Sequence, residues 1–219
     1  MSTPLQYAID NNHINAISLL LHYDANVSVT MIDKAINDND ISLVALLVPT
    51  APINTDHFII ACKNQSIDII RLLLKHGINA IDINTTDDEG DTLLYSICTF
   101  LPATWHVHKP MILLLLNNGL NPDIHSQRHE HIIFRSIYNN EIDIVRSLLS
   151  NDPQVVSVGD HYDRSPLYHA AWHNKPDIVD LLLAHNADPH HRYKKNAPTP
   201  LDIAIYSNNH DIVYKLNHH

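Results

Sequence analysis

The sequence predicts an all-α fold in which one pair of short helices is repeated along the chain. Three observations support this prediction. One segment recurs, and its clearest copies are TPLQYAIDNNHINAISLLLHYDAN from Thr3, SPLYHAAWHNKPDIVDLLLAHNAD from Ser165 and TPLDIAIYSNNHDIVYKL from Thr199. Each of these copies opens with Ser or Thr followed by Pro, which is typical of the start of a helix. In each copy a small residue also precedes a β-branched residue by nine positions.

The nine-residue pair recurs in register along most of the chain. Its members are Ala8/Ile17, Ala35/Val44, Ala61/Ile70, Ser136/Val145, Ala170/Val179 and Ala204/Val213. A further copy pairs Ile97 with Ile112 and holds six extra residues. Self-similarity of this kind is the signature of a repeat architecture. We therefore predict one domain over 1–219, with approximate repeats 2–27, 28–53, 54–86, 87–125, 126–159, 160–193 and 194–217.

Each repeat is predicted to contain an inner helix, a turn and an outer helix such as Asp177–His185. The apolar run Leu181–Leu183 would form the face that packs between repeats. The turn between the helices needs a residue in the left-handed conformation, which Asn tolerates better than most residues other than Gly. The chain has only 4 glycines. The residues at the predicted turns are Asn12, Asn39, Gln65, Asn140, Asn174 and Asn208.

The spacing of the repeats is uneven. The first three β-branched positions are 27 and 26 residues apart, whereas Val145, Val179 and Val213 are 34 apart. The connections before repeats two and three are therefore predicted to be short. In repeat four, the extra residues around Leu101–Lys109 are predicted to form a loop, since Pro102 and Pro110 bracket them and Pro is disfavoured inside a helix.

Two single residues add further expectations. Trp105, within the predicted loop of repeat four, would either pack on a neighbouring repeat or project as a binding tip. In the last outer helix, Lys215 replaces a leucine found in other repeats. A terminal repeat needs a polar outer face, so the stack is expected to end with the chain.

Composition argues against several classes of function. With 14 basic and 24 acidic residues the chain has a net charge of −10, which argues against nucleic acid or an anionic membrane as the partner. The longest apolar runs are far short of a membrane span, and no basic segment precedes an apolar one at the N-terminus. We expect a cytoplasmic monomer without membrane insertion.

The chemically reactive residues are interpreted as structural. The 18 histidines include the pairs His106/His108, His129/His131 and His190/His191, but none has the i, i+4 spacing with a carboxylate that is typical of zinc on a helix. Surface or capping roles are favoured over metal binding. Cys62 and Cys98 are interpreted as small buried residues in a reduced protein. No catalytic residue, metal or cofactor is predicted.

The repeated T-P-L segment resembles the ankyrin repeat, whose signature is T-P-L-H-x-A at a period of about 33 residues. The resemblance covers residues 2–217. It implies a solenoid of stacked helix pairs with short β-hairpin or loop fingers. It also implies a non-enzymatic module that binds other proteins, with contacts at the hairpin tips and at the inner-helix positions two and three past the small residue.

These implied contact positions differ in character along the chain. In the first three repeats the positions two past the small residue are Asp10, Asn37 and Lys63, whereas aromatic and arginine residues occupy later contact positions. Tyr, Trp and Arg dominate interface hot spots. The predicted partner-binding residues are Arg128, Tyr138, His161, Tyr162, Arg164, Trp172, His173 and Tyr206. The alternative is that Tyr138, Trp172 and Tyr206 stack on one another across adjacent helices, and both can hold together.

Charge and composition add two further hypotheses. Residues 1–109 carry 5 basic and 12 acidic side chains, and the acidic stretch DDEGD lies in the fourth hairpin. This half could steer a basic element of a partner, although a solvated acidic face explains the same pattern. The richness in Asn and Ile is similar to that of ankyrin proteins of intracellular bacteria and large DNA viruses, which often act on host proteins.

Three functions therefore remain in consideration. The first is a protein-interaction module, with a host-directed effector as its more specific form. The second is an adaptor or inhibitor that recruits or blocks an enzyme. The third is an enzyme with an unrecognised site.

Overall fold

A computed structural model describes residues 3–77, 83–84, 92–94, 97, 105–125 and 130–219. The chain divides into two compact units, Met1–Thr85 and Thr86–His219, and the division falls between the third and fourth predicted repeats. Within the described residues nearly all regular structure is helical, and most of the helices form consecutive pairs that pack on each other. The predicted all-α repeat fold is confirmed.

The first unit contains three helix pairs. They are α1 (Pro4–Asp10) with α2 (Ile14–His22), α3 (Val29–Asn37) with α4 (Ile41–Leu47), and α5 (Thr55–Lys63) with α6 (Ile67–Gly77). Inner helix α3 packs on inner helix α5, and the outer helices pack in sequence, α2 on α4 and α4 on α6. The β-branched positions Ile17, Val44 and Ile70 are fully buried between the layers. The nine-residue spacing therefore places one core residue on each outer helix.

Among its described residues, the second unit contains seven helices, a short 3-10 turn and one small hairpin. Its elements are α7 (Trp105–Leu116), β1 (Asp123–His125), β2 (Glu130–His131), α8 (Ile132–Tyr138), α9 (Ile142–Asn151), a 3-10 turn (Pro153–Ser157), α10 (Pro166–Trp172), α11 (Pro176–Ala184), α12 (Pro200–Tyr206) and α13 (His210–Asn217). The strands are antiparallel, with Asp123 opposite His131 and His125 opposite Glu130 across an irregular register. Inner helices α8, α10 and α12 pack in order, as do outer helices α7, α9, α11 and α13.

The predicted helix starts are confirmed. The hydroxyls of Thr3, Ser165 and Thr199 accept hydrogen bonds from the backbone N–H three residues later, at 3.1, 3.2 and 3.1 Å. Each is followed by Pro at the first helical position. Each hydroxyl satisfies one of the backbone donors that a helix N-terminus leaves without an internal partner.

The predicted left-handed turns are confirmed as well. The φ values at the six turn positions lie between 53° and 61°, and the residues are Asn12, Asn39, Gln65, Asn140, Asn174 and Asn208. This conformation costs most residues about 1–2 kcal/mol, and Asn is one of the few that visit it routinely. Apart from Gln65, asparagine therefore supplies the left-handed turn residue that is glycine in many other proteins.

The prediction of a loop over Leu101–Lys109 is wrong for its second half. Residues 101–104 lie outside the described part of the chain, but α7 already begins at Trp105 and includes Pro110. Proline removes one helical hydrogen bond, and the residues on either side of Pro110 make tertiary contacts. Lys109 forms ion pairs with Asp143 and, at 3.5 Å, with Glu141, and Met111 is buried. These contacts attach the start of α7 to α9.

Several other predictions fall outside what the structure describes. They concern Arg128, Cys98, the DDEGD stretch and the side chain of Trp105. Cys62 is buried with a free thiol, and burial raises its pKa to about 12. In the described ranges no three His, Cys, Asp or Glu side chains are grouped as metal ligands. None of the described helices is long and apolar enough to cross a membrane.

Candidate protein-binding surface

Aromatic side chains, imidazoles and one arginine come together where α8 packs beside α10. We call this group the aromatic cluster, and it consists of Tyr138, His161, Tyr162, Arg164, Tyr168, His169, Trp172 and His173. Helix α8 contributes its last residue, Tyr138, helix α10 and its C-terminal cap contribute Tyr168 to His173, and the loop before α10 contributes the rest. The packing of inner helices thus places side chains more than 30 residues apart on one surface.

The loop before α10 is organised by the carboxylate of Asp160. This side chain is only 9% exposed, and it accepts hydrogen bonds from the backbone N–H groups of Tyr162 (2.8 Å) and Arg164 (3.0 Å). It also accepts from Arg164 Nε (2.7 Å) and lies 3.0 Å from His169 Nε2. Burial raises the pKa of Asp160, but the hydrogen bonds outweigh burial and lower the pKa from 3.8 to about 2. Asp160 is therefore an anion at neutral pH and fixes both loop and helix.

The backbone of this loop is tightly turned. Asp163 has a φ of 67°, in the left-handed region. A Cβ at Gly159 would lie 2.9 Å from Asp163 Cα, which is too close for any other residue without a backbone shift. Gly159 is thus required for the close approach that turns His161 and Tyr162 to the surface.

Arg164 links the loop to the inner helix. Its guanidinium carbon lies 4.7 Å from the ring centre of Tyr162 and 5.6 Å from that of Trp172. Its Nη2 lies 2.6 Å from Asp160 Oδ2. The arginine therefore stacks on two exposed rings while its charge is paired below them, which holds both rings in place.

His173 links α10 to α8. Its ring stacks on Trp172 at 5.6 Å with an interplanar angle of 7°, and it meets Tyr138 edge-on at 5.1 Å. Burial lowers the pKa of His173, and Lys175 and Arg164 lower it further. Burial also lowers the pKa of His169, against the opposing effect of Asp160. The lowered pKa values keep the imidazoles of His169 and His173 neutral at neutral pH.

The cluster has a supporting layer and an exposed layer. Tyr168 is 5% exposed and meets Trp172 edge-on at 6.0 Å, while Tyr138, Tyr162 and Trp172 are 65%, 51% and 46% exposed. Large rings that are about half exposed and held by their own support can bury much apolar area against a partner. The arrangement is suited to binding a protein surface.

The structure brings together six of the eight residues predicted from the sequence. They are Tyr138, His161, Tyr162, Arg164, Trp172 and His173. Tyr138 and Trp172 do not stack directly on each other but meet through His173. Tyr206 on α12 is 87% exposed and, in the described part of the chain, stacks on none of these rings. Arg128 lies outside the described residues.

Sequence reasoning missed the residues that support the cluster, namely Asp160, Tyr168 and His169. One signal was available for two of them. Repeat six reads SPLYHA where the repeat signature reads T-P-L-H-x-A, so Tyr168 stands at the histidine position and His169 follows it. This departure falls at the residues on which the exposed rings rest.

Comparison with known proteins identifies the family. A family model for ankyrin repeats (3 copies) matches residues 103–193, and a model for a single ankyrin repeat matches residues 2–34 and 57–88. The chain belongs to the ankyrin-repeat family. Ankyrin repeats are protein-interaction modules, and the geometry of the aromatic cluster agrees with that general role.

Curated relatives place this chain among ankyrin-repeat proteins of different kinds. It is 28% identical over 165 residues to an ankyrin repeat protein of fowlpox virus, which covers 74% of this chain and 46% of the relative. It is 26% identical over 183 residues to one of Acanthamoeba polyphaga mimivirus, covering 83% and 20%. A 74-residue match to human 2-5A-dependent ribonuclease is 36% identical, covering 34% of this chain and 10% of that enzyme. The chain thus spans at most about half the length of these relatives.

A solved structure with the same fold comes from Bdellovibrio bacteriovorus. It is a chain from the complex of a predatory endopeptidase with an immunity protein, and it matches with a TM-score of 0.61 and 20% identity. The match covers 88% of this chain and 99% of that one. At this identity the likeness supports the fold.

Proposed function

We propose that this ankyrin-repeat chain binds another protein through the aromatic cluster of repeats five and six, extended by Tyr206 of repeat seven. The observation that carries the proposal is the pairing of exposed rings with a buried support. Tyr138, Tyr162 and Trp172 remain about half exposed, although Arg164 and the imidazoles hold them in fixed positions. Such rings lose little conformational freedom on binding, so less of the free energy gained from their burial is lost to ordering them.

The corresponding face of the first unit has a different character. Asp10, two positions past Ala8, accepts hydrogen bonds from Gln6 Nε2 (2.9 Å) and Lys34 Nζ (2.8 Å) on the protein surface. Exposed ion pairs of this kind contribute little to binding energy. Binding energy is therefore expected to concentrate in repeats five to seven.

The proposed biological setting is a host cell. Viral ankyrin repeat proteins that match 74% and 83% of this chain support a host-directed role. In this proposal the chain acts in the cytoplasm as a single copy and presents the cluster to a host protein. Light scattering on the purified chain tests the single-copy state.

The test is quantitative capture from a eukaryotic cell lysate with three baits. The first is the unaltered chain, the second carries Tyr162→Ala and Trp172→Ala, and the third carries Tyr23→Ala and Tyr214→Ala. Tyr23 and Tyr214 are 75% and 65% exposed and lie outside the cluster, so the third bait matches the loss of exposed aromatic area. Circular dichroism must first show that all three baits keep the same helical content and unfolding midpoint.

The expected result is a partner that binds the first and third baits and is lost with the second. Two central hot-spot rings contribute about 2 kcal/mol each, so the double variant is expected to bind several hundredfold more weakly. A partner retained equally by all three baits, or no partner above background with the unaltered chain, would contradict the proposal. If the partner is an enzyme, its activity with and without the chain separates an inhibitor from an adaptor.

A further inference from the structure

The finger that precedes α12 is basic in an otherwise acidic chain. Residues 188–195 read DPHHRYKK and carry three basic side chains against one acidic, whereas the whole chain has a net charge of −10. His190, Arg192, Lys194 and Lys195 are all exposed. We call residues 188–197 the basic finger.

The basic finger is fixed beside the aromatic cluster by two contacts. The ring of Tyr193 meets the buried ring of Tyr168 edge-on at 5.8 Å. His191 Nε2 lies 3.0 Å from the backbone oxygen of Asp163, in the loop that presents Tyr162. The basic finger therefore lies directly beside the loop and the buried ring that support the exposed rings of the cluster.

Lys194 and Lys195 are the cationic side chains of the basic finger that are not paired with a carboxylate in the described part of the chain. Arg164 is paired with Asp160, and Arg192 lies 3.5 Å from Asp202 and donates to the backbone oxygen of Ala197. Among the ion pairs of the described residues, none involves Lys194 or Lys195. Their charge is available to a partner.

We propose that the partner contacts this face with an acidic segment that carries a large apolar side chain. The apolar side chain packs on Tyr162 and Trp172, and the flanking carboxylates lie against Lys194 and Lys195. This inference rests on the proposed function and adds the chemistry of the bound segment to it. Because the rest of the chain is acidic, an acidic segment is repelled elsewhere and drawn to the basic finger, which gives orientation as well as attraction.

The proposed partner segment is acidic, whereas the sequence-based hypothesis expects a basic element that is steered to the acidic N-terminal half. That hypothesis rests on the charge of residues 1–109 alone. The basic finger, in contrast, lies beside the aromatic cluster, and among the described residues this cluster is the part of the predicted contact surface that is rich in stacked rings. The charge of the selected partner segment decides between the two.

The test uses a phage-displayed library of random 12-residue peptides selected on the immobilised full-length chain. The strongest peptides are then synthesised with fluorescein, and their affinities are measured by fluorescence anisotropy at low and high salt. Three variants are compared with the unaltered chain: Lys194→Glu with Lys195→Glu, Arg71→Glu with Lys75→Glu, and Trp172→Ala. Arg71 and Lys75 are exposed on α6 and match the charge change outside the site.

The expected peptides carry net negative charge around an aromatic or large aliphatic residue. Reversal of Lys194 and Lys195 is expected to weaken binding about tenfold at 50 mM salt and less than about threefold at 500 mM, because exposed charges are screened. The Arg71 and Lys75 reversal is expected to change affinity less than about twofold, and Trp172→Ala is expected to weaken binding about thirtyfold.

Each contrary outcome has a distinct meaning. Neutral or basic peptides, no enrichment over a blank support, or an affinity indifferent to the Lys194 and Lys195 reversal would each overturn the inference. An acidic peptide that depends on the lysines but not on Trp172 would overturn the proposed function at the cluster, and with it the packing of an apolar side chain there. Equal binding of a 20-nucleotide single-stranded DNA in competition with the peptides would show a general polyanion site, which also overturns the inference.

Discussion

Replacement of Asp160 by Asn tests whether one carboxylate holds the aromatic cluster together. Asn has nearly the same shape as Asp, but it lacks the negative charge, and one of its two polar atoms is a donor. That donor cannot accept the hydrogen bonds from Arg164 Nε and His169 Nε2. Asp160→Asn is therefore expected to leave the loop folded but to release Arg164 from its position between Tyr162 and Trp172.

The size of the effect follows from the pKa of Asp160. A shift from 3.8 to about 2 corresponds to about 2 kcal/mol of stability at neutral pH, since each pKa unit is worth about 1.4 kcal/mol. The folded pKa lies below the unfolded one, so this contribution is complete above about pH 4 and is lost as the pH falls through about 2. The difference between the unaltered chain and Asp160→Asn should thus be about 2 kcal/mol at pH 7 and about half as large at pH 3.

Tryptophan fluorescence reports this unfolding at the right place. The chain has only two tryptophans, so a Trp105→Phe background leaves Trp172, beside Arg164, as the reporter. Urea unfolding is measured at pH 7 and pH 3. Asp163→Asn is the matched control, because it removes an equal charge from the same loop and Asn tolerates the φ of 67°.

Two results would refute this reasoning. One is a free energy of unfolding for Asp160→Asn equal to that of Asp163→Asn at pH 7. The other is a deficit that stays constant between pH 7 and pH 3, since it would arise from packing rather than from charge.

Three further predictions concern other parts of the fold. Burial lowers the pKa of His131 from 6.5 to about 4. The folded chain should therefore lose about 3 kcal/mol of stability as the pH falls from about 6.5 to 4. His131→Asn keeps an acceptor for the N–H of Ile133, and urea unfolding of this variant should not show the loss. At the left-handed turn of repeat six, thermal unfolding should show Asn174→Ala to be about 1 kcal/mol less stable than Asn174→Gly, and equal midpoints would contradict this. Asn209→Ala should lower the free energy of unfolding by about 1–2 kcal/mol in the same measurement, because it removes a buried 2.7 Å hydrogen bond to the backbone oxygen of Ala171. The control Asn196→Ala, at an exposed site, should have little effect.

The parts of the fold that the sequence predicted are those set by local chemistry. A hydroxyl such as that of Ser165 caps the helix that follows it, and an Asn such as Asn174 adopts the left-handed conformation through its own backbone preferences. Both effects act within a few residues. They recur along the chain, so the pattern predicted the order of the helix pairs that the structure describes.

The parts that the sequence could not predict depend on contacts between distant residues. Pro110 argued for a loop, yet α7 continues through it, and Lys109 pairs with Glu141 and Asp143 about 30 residues later. Likewise, a capping role was one of the two predicted for His131, but the sequence gave no sign that this cap would be buried. Tertiary packing overrides local preference at these points.

The candidate site was predicted only in its exposed layer, and the reason lies in how the repeat family varies. Exposed contact positions differ freely between repeats, so Tyr138 and Trp172 stand out in a list of equivalent positions. One residue of the supporting layer, Tyr168, instead lies at a position that the repeat pattern normally fixes. Tyr168 occupies the histidine position of the signature, and from there its ring contacts Trp172 within the cluster and Tyr193 in the basic finger. Tyr168 thus connects two neighbouring repeats through contacts that a comparison of equivalent exposed positions does not show.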